Sequence, residues 1–257
     1  LLSPDLDLST ITTLNLYNHD EGSSTIQLRD LSPLSQFPNL HTLYLGGGPV
    51  LLESLTAVGS SLVDLHIVRW AGWKYSADSW LDALGRFPAL RGLHLHCCGS
   101  IETLDFLAQV PALERFTLIC SKQALHSWPR EKLKSIEGLR FLTQLQDLWI
   151  EGCWLVHDVS FLRSLPTLQS LQLVSCRALQ DLLGIDSAPQ LTTVRLDHCQ
   201  SIVELEPLAS LPKLKHLYLA ALKGRSLKVR DRLKQLETLD LTGWDDLDDF
   251  TLFQGDA

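Results

Sequence analysis

Apolar residues recur along the chain in one short frame, seen in "ITTLNL" from Ile11, "LHTLYL" from Leu40, "LVDLHI" from Leu62, "LRGLHL" from Leu90 and "LERFTL" from Leu113. It returns as "LQDLWI" from Leu145, "LQSLQL" from Leu168, "LTTVRL" from Leu191, "LKHLYL" from Leu214 and "LETLDL" from Leu236. The last apolar pair of each hexamer alternates with polar residues, the period of a strand with one buried face. Successive hexamers start 29, 22, 28, 23, 32, 23, 23, 23 and 22 residues apart, so the unit is 22 to 23 residues long and three units carry insertions. One such unit cannot bury its apolar face alone. Ten of them predict a stack in which each covers the next.

The second half of each unit is also related from copy to copy: "LSPLSQFPNL" before Leu40, "FLAQVPAL" before Leu113, "FLRSLPTL" before Leu168 and "PLASLPKL" before Leu214. The Pro two residues ahead of the first Leu stops a helix and biases its predecessor toward extended backbone, marking the entry to the strand. Frame and period resemble the leucine-rich repeats, in particular the internalin-like and phosphatase-regulator-like kinds, and the resemblance runs over nearly the whole chain. It implies an α/β fold: a leucine-rich-repeat solenoid, or curved horseshoe. About ten parallel strands would form its concave sheet, with short helices, 3-10 turns or loops on the convex side. Residues 1–257 are expected to form a single domain, with insertions near 70–82, 121–138 and 223–234. "LLSPDLDLS" and "GWDDLDDFTLFQGDA" are the candidate end caps. A start at Leu1 rather than Met also fits a piece of a longer protein.

The register settles "LRGLHLHCCG" from Leu90, whose two histidines and two cysteines would otherwise suggest a metal or redox site. The ninth position of the unit falls on Cys98, Cys153, Cys176 and Cys199, and on Trp70, Trp244 and Leu222 among the others. The resemblance gives this place to a buried Asn or Cys that packs and hydrogen-bonds weakly to turn backbone. Leu93 and Leu95 then point inward, while His94 and His96 project onto the concave face. Strands lie about 4.8 Å apart, which brings His66 beside His94. A zinc triad of His66, His94 and His96 is the sharper reading and a solvated or partner-contacting polar stripe the plainer one. No metal spacing motif is present, and neither metal nor cofactor is expected.

The fifth position of each unit, the exposed middle of the sheet, reads Asn15, Tyr44, His66, His94, Thr117, Trp149, Gln172, Arg195, Tyr218 and Asp240. Flanking exposed positions add Tyr17, Arg69, His96, Glu151, Asp197 and His198. Tyr, Trp and Arg are the residues of interface hot spots, although aromatics also suit strands by packing across them. The candidate partner-binding face is therefore Tyr44, His66, Arg69, His94, His96, Trp149, Glu151, Arg195 and Tyr218. Trp73, Tyr75, Trp80, Arg130 and Lys132, in the insertions, form a secondary candidate contact.

Composition narrows the classes. The chain is 45% apolar and 20% charged, enough for a large core, and its net charge of −8 argues against nucleic acid or anionic membrane as a partner. Basic residues concentrate only in the later insertions, around Arg130 and Lys132 and along "LKGRSLKVRDRLKQL" from Leu222. Six cysteines are too few for a disulfide framework, and no apolar run is long enough to span a membrane. A cytoplasmic setting, or delivery into a host cytoplasm, is expected over secretion. No P-loop, G-x-G-x-x-G after a strand or G-x-S-x-G elbow occurs. The expectation is a monomeric, non-catalytic module that binds another protein as a dedicated binder or inhibitor of immunity or effector type. The alternatives are a ligand-sensing domain of a larger protein and a metal-dependent activity at His66, His94 and His96.

Overall fold

A computed structural model describes residues 7–16, 31–46, 60–68, 81–96, 101–120, 133–222 and 235–244. Two compact units divide the chain, residues 1–142 and 143–257. The first holds strands β1 (Thr13–Leu16), β2 (Thr42–Gly46), β3 (Asp64–Val68), β4 (Gly92–His96) and β5 (Arg115–Ile119). The second holds β6 (Asp147–Glu151), β7 (Ser170–Val174), β8 (Thr193–Arg195), β9 (His216–Tyr218) and β10 (Thr238–Asp240). Within each unit the strands pair in parallel and in chain order, with the hexamers aligned: Leu43 faces Leu65, Leu65 faces Leu93, Leu148 faces Leu171 and Leu171 faces Val194.

In the inner strands β2, β3, β4, β6, β7, β8 and β9 the apolar residues are buried with period two; the other half of the repeat buries its own with period three. In unit 2 Val156, Val159, Leu162, Leu165 and Leu168 are fully buried, and Leu179, Leu182, Ile185, Ala188 and Leu191 repeat the series one unit on. In unit 1 the same series is Ile101, Leu104, Leu107, Val110 and Leu113. Side chains three apart eclipse on a 3-10 helix, whereas an α-helix would need a mixture of three and four. Short 3-10 turns are accordingly what forms, at Ser32–Gln36, Asp105–Gln109 and Glu137–Phe141 in unit 1 and at Ser160–Ser164 and Glu206–Ser210 in unit 2. Short polar side chains start several of them: Asp158 accepts from the Ser160 N–H at 2.8 Å, and Ser135 from the Glu137 N–H at 3.1 Å.

The ninth position behaves as a ladder. Cys153, Cys176, Cys199 and Leu222 are buried. The Cys176 thiol lies 3.6 Å from the Ile150 carbonyl and the Cys199 thiol 3.2 Å from that of Leu173, in each case the sixth position of the preceding repeat. Trp244 replaces the thiol with an indole N–H that donates to the matching carbonyl of Leu219 at 2.5 Å. The residue before each of the rungs Cys153, Cys176, Cys199, Leu222 and Trp244 is left-handed: Gly152, Ser175, His198, Ala221 and Gly243 have φ of 71°, 52°, 58°, 57° and 76°. That turn directs the rung inward. Cys120, one place short of the rung, is buried as well, and none of the four described cysteines is in a disulfide.

Within the stretch near 121–138 where an insertion is expected, the Lys134 N–H donates to the Glu102 carbonyl and Glu137–Phe141 forms a 3-10 turn. Cys97, Cys98, Trp70, both end caps and the insertion cores at 70–80, 121–132 and 223–234 lie outside the described residues.

Close packing of successive halves makes Gly138 a demanding position, since a Cβ there would run into the Leu104 carbonyl, which is backbone and cannot yield cheaply. Gly138→Ala is expected to lower stability by about 2 kcal/mol in urea unfolding, and an unchanged midpoint would refute this packing. Leu148→Ala, on the buried side of β6, should cost about 2 to 5 kcal/mol, while its neighbour Trp149→Ala should cost less than about 1 kcal/mol. Reversal of that order would mean the strand register is wrong.

Candidate functional site

Alternation along the strands leaves one row of each unit's sheet facing outward at the fifth position. In unit 1 the row is Asn15, Tyr44, His66, His94 and Thr117, each aligned with the next. Strand spacing is close to the separation between neighbouring rings in a stack, so in-register aromatics lie flat against one another. Tyr44 and His66 stack with ring centroids 4.0 Å apart and planes 16° off parallel. His66 and His94 follow at 4.0 Å and 5°.

Beside this stack a polar tie crosses β4. Asp64 on β3 and Arg115 on β5 occupy matching positions two strands apart, with Gly92 between them. A Cβ on Gly92 would strike the Asp64 carboxylate, so the missing side chain is what lets the carboxylate lie across the strand. Arg115 Nη2 donates to both of its oxygens, at 3.1 and 3.3 Å. Asp64 also lies 3.8 Å from His94 Nε2, and His94 Nδ1 shares a 2.8 Å hydrogen bond with Thr117 Oγ1.

This geometry bears on chemistry in two ways. Parallel imidazoles stacked face to face send their nitrogen lone pairs in parallel directions rather than to a common centre, and one nitrogen of His94 is already bonded to Thr117. Among the described residues no group of three His, Cys, Asp or Glu is arranged to hold a metal ion. Asp64, His94 and Thr117 line up as carboxylate, imidazole and hydroxyl, but Thr117 is only 6% exposed. Its hydroxyl fixes the ring and is shut off from a substrate. The expectation that Thr117 sits exposed in the row is thus corrected: the His94 ring bonded to it covers it.

In unit 2 the row is Trp149, Gln172, Arg195, Tyr218 and Asp240. The Arg195 guanidinium lies 4.2 Å over the Tyr218 ring and donates to Asp197 at 2.7 Å. Asp197 was expected on the exposed flank, yet it is 8% exposed, because its second oxygen accepts the Ala220 N–H at 3.0 Å. It is a buried bracket for Arg195. Asp240 turns back to accept from the Thr242 N–H and hydroxyl, bonds that hold its carboxyl below the usual range. Trp149 keeps 36% of its surface exposed, and Asp147 and Glu151 share its face of β6.

His96 and Glu151 are half-buried at the ends of their strands. Arg69, Tyr17, Trp73, Tyr75, Trp80, Arg130 and Lys132 lie outside the described residues. Arg115 was missed: like Asp64 and Asp147 it occupies the third position of the hexamer, which projects on the same side as the fifth. Trp154, 61% exposed just past the Cys153 rung, was missed because the repeat frame assigns that position no role.

The fold can now be placed among solved structures. An internalin, inlF, from Listeria monocytogenes matches over 91% of this chain and 68% of its own, with TM-score 0.53 and 19% identity. Internalin C2 from the same organism matches 91% and 82%, with TM-score 0.50 and 19% identity. The leucine-rich-repeat domain of the type III effector XopL matches 91% and 77%, with TM-score 0.58 and 16% identity. The chain has the leucine-rich-repeat fold. By sequence it matches no protein-family model and no curated protein.

Burial, then the neighbouring His94 and His96 charges, push His66 down to about 4, with Asp64 opposing. His94 is lowered too, chiefly by burial. The folded chain therefore refuses a proton that an unfolded imidazole accepts near 6.5. Stability is full above that value and drains as the pH falls from 6.5 toward 4. We expect the drop to reach about 1 to 2 kcal/mol after allowance for solvent screening, and His66→Gln to remove at least half of it. A pH profile of urea midpoints identical in wild type and variant would count against the stack.

Proposed function

We propose that the chain is a non-catalytic protein recognition module whose outward sheet rows contact a partner protein. The observation that carries this reading is the fifth-position row itself, where Tyr44, His66, Trp149, Arg195 and Tyr218 stand on strands whose backbone is fixed by pairing. Aromatic side chains have few rotamers to lose when they are covered, and Arg195 is already held by Asp197 and Tyr218, so covering these residues costs little further entropy. A row kept for solubility alone would favour Lys, Glu and Ser.

The module acts as a dedicated binder, of inhibitor or effector type, in or delivered to a cytoplasm. Support for the effector variant comes from the likeness to the repeat domain of a type III effector. No helix among the described residues is long and apolar enough to cross a membrane. The net charge of −8 favours a protein partner over nucleic acid.

An affinity pull-down from native lysate should recover a partner with wild type and lose it with the combined Tyr44→Ala, Trp149→Ala and Tyr218→Ala variant. The first two side chains are each worth at least about 2 kcal/mol if they are hot spots. Recovery of the same proteins by both would move the contact off the sheet face.

A further inference from the structure

Strand pairing in unit 2 sets Trp149, Gln172, Arg195 and Tyr218 side by side across β6, β7, β8 and β9. Three strand steps make the row about 14 Å long. It is one side chain wide. Half-buried Ser170 and Thr193 flank it on one side, and half-buried Val174 and the buried Asp197 on the other.

The hydrogen-bonding capacity of the row is largely unused within the molecule. The Trp149 indole N–H, the Gln172 carboxamide and the Tyr218 hydroxyl bond to no other group among the described residues. Arg195 gives one N–H to Asp197. Indole and guanidinium only donate, whereas carboxamide and hydroxyl both donate and accept. An apolar surface laid over the row would strand these groups without partners. What covers it must itself carry hydrogen-bonding groups at close, regular intervals.

The row has no spare charge to offer. Asp197 matches the Arg195 guanidinium, Asp240 is turned onto Thr242, and Asp147 and Glu151 on either side of Trp149 have interactions of their own. A charged occupant would lose its water here without a counter-charge to replace it. Arg195 also occupies a face of Tyr218 that a stacked sugar ring would need. The main chain of an extended polypeptide has the matching chemistry. Each residue offers an N–H and a C=O and advances about 3.3 Å, so about four residues cover the row.

We propose that the row seats an extended, uncharged segment of the partner protein, whose backbone N–H and C=O groups hydrogen-bond with Trp149, Gln172, Arg195 and Tyr218 as it crosses β6 to β9. This deepens, and rests on, the reading of the chain as a protein recognition module.

The test is selection of phage-displayed random peptides of about twelve residues, roughly three times the length the row needs, on the purified chain. Fluorescence anisotropy of the labelled selected peptides follows. Enriched peptides should show no excess of Lys, Arg, Asp or Glu. Their binding should change by less than about twofold between about 0.1 and 0.5 M salt, a range over which surface charges are progressively screened. Gln172→Ala and Tyr218→Phe should each weaken it by at least about fivefold, and Trp149→Ala by at least about thirtyfold, the loss that marks a hot spot. Gln180→Ala removes a carboxamide from an exposed position outside the strands, and should change binding by less than about twofold.

Peptides rich in one sign of charge, or bound less tightly at high salt, would overturn the uncharged segment. Affinity that survives both Gln172→Ala and Tyr218→Phe would overturn the backbone contacts. If Gln172→Ala loses its far-ultraviolet dichroism, Tyr218→Phe decides alone. A concentration-dependent mass that Trp149→Ala abolishes would give the row to a second copy of this chain. Absence of any enriched peptide also overturns the proposal; with a face-dependent partner still recovered in the pull-down, the recognition module stands and takes a folded surface instead.

Discussion

In-register parallel pairing is the constraint from which the rest of this molecule follows. Once Leu65 sits beside Leu93 on one strand pair, and Leu171 beside Val194 on another, every other position of the repeat must also meet its own counterpart one unit on. Like therefore stacks on like. The core becomes columns of leucine, the rungs become a file of thiols, and the outward rows become files of whatever the sequence places there. Aromatic rings in neighbouring copies are brought into face-to-face contact by the strand spacing alone.

The same rule decides where local departures matter. Gly92 interrupts a file of side chains, and Asp64 and Arg115 join across the gap it leaves. Trp244 enters the thiol file and satisfies the carbonyl that a cysteine would otherwise face. In both cases a substitution in one repeat is answered by groups in the adjoining repeats. The outward files are the ones that burial leaves free to vary.

The hexamer frame made the strands, their register and the inward leucines legible, since a period of two admits only one arrangement once one face is buried. Tyr44, His66, His94, Trp149, Arg195 and Tyr218 stand in the outward rows where the frame put them. What the frame could not carry was depth. It gives the side to which a residue points, but not what its neighbours then lay over it; hence Thr117 and Asp197 proved buried, one under an imidazole and the other beneath a backbone N–H and a guanidinium. The tie over Gly92 was hidden for a related reason, because it joins residues two repeats apart through an absence. The choice of 3-10 turns was legible only in the three-residue spacing of the buried positions, a signal carried by residues outside the hexamer.

The left-handed residue before the rungs of unit 2 has a consequence for how such a chain can grow. Gly152 and Gly243 adopt that backbone freely, but Ser175, His198 and Ala221 do so against the preference of their Cβ atoms, at roughly 1 kcal/mol each. The strain belongs to the module rather than to any one site, so it rises in proportion to the number of copies. Duplication of a repeat copies its burden along with its buried leucines. A lineage that lengthens such an array is thus under standing selection to place glycine at this position, and a serine, histidine or alanine there marks a repeat whose core has margin to spare.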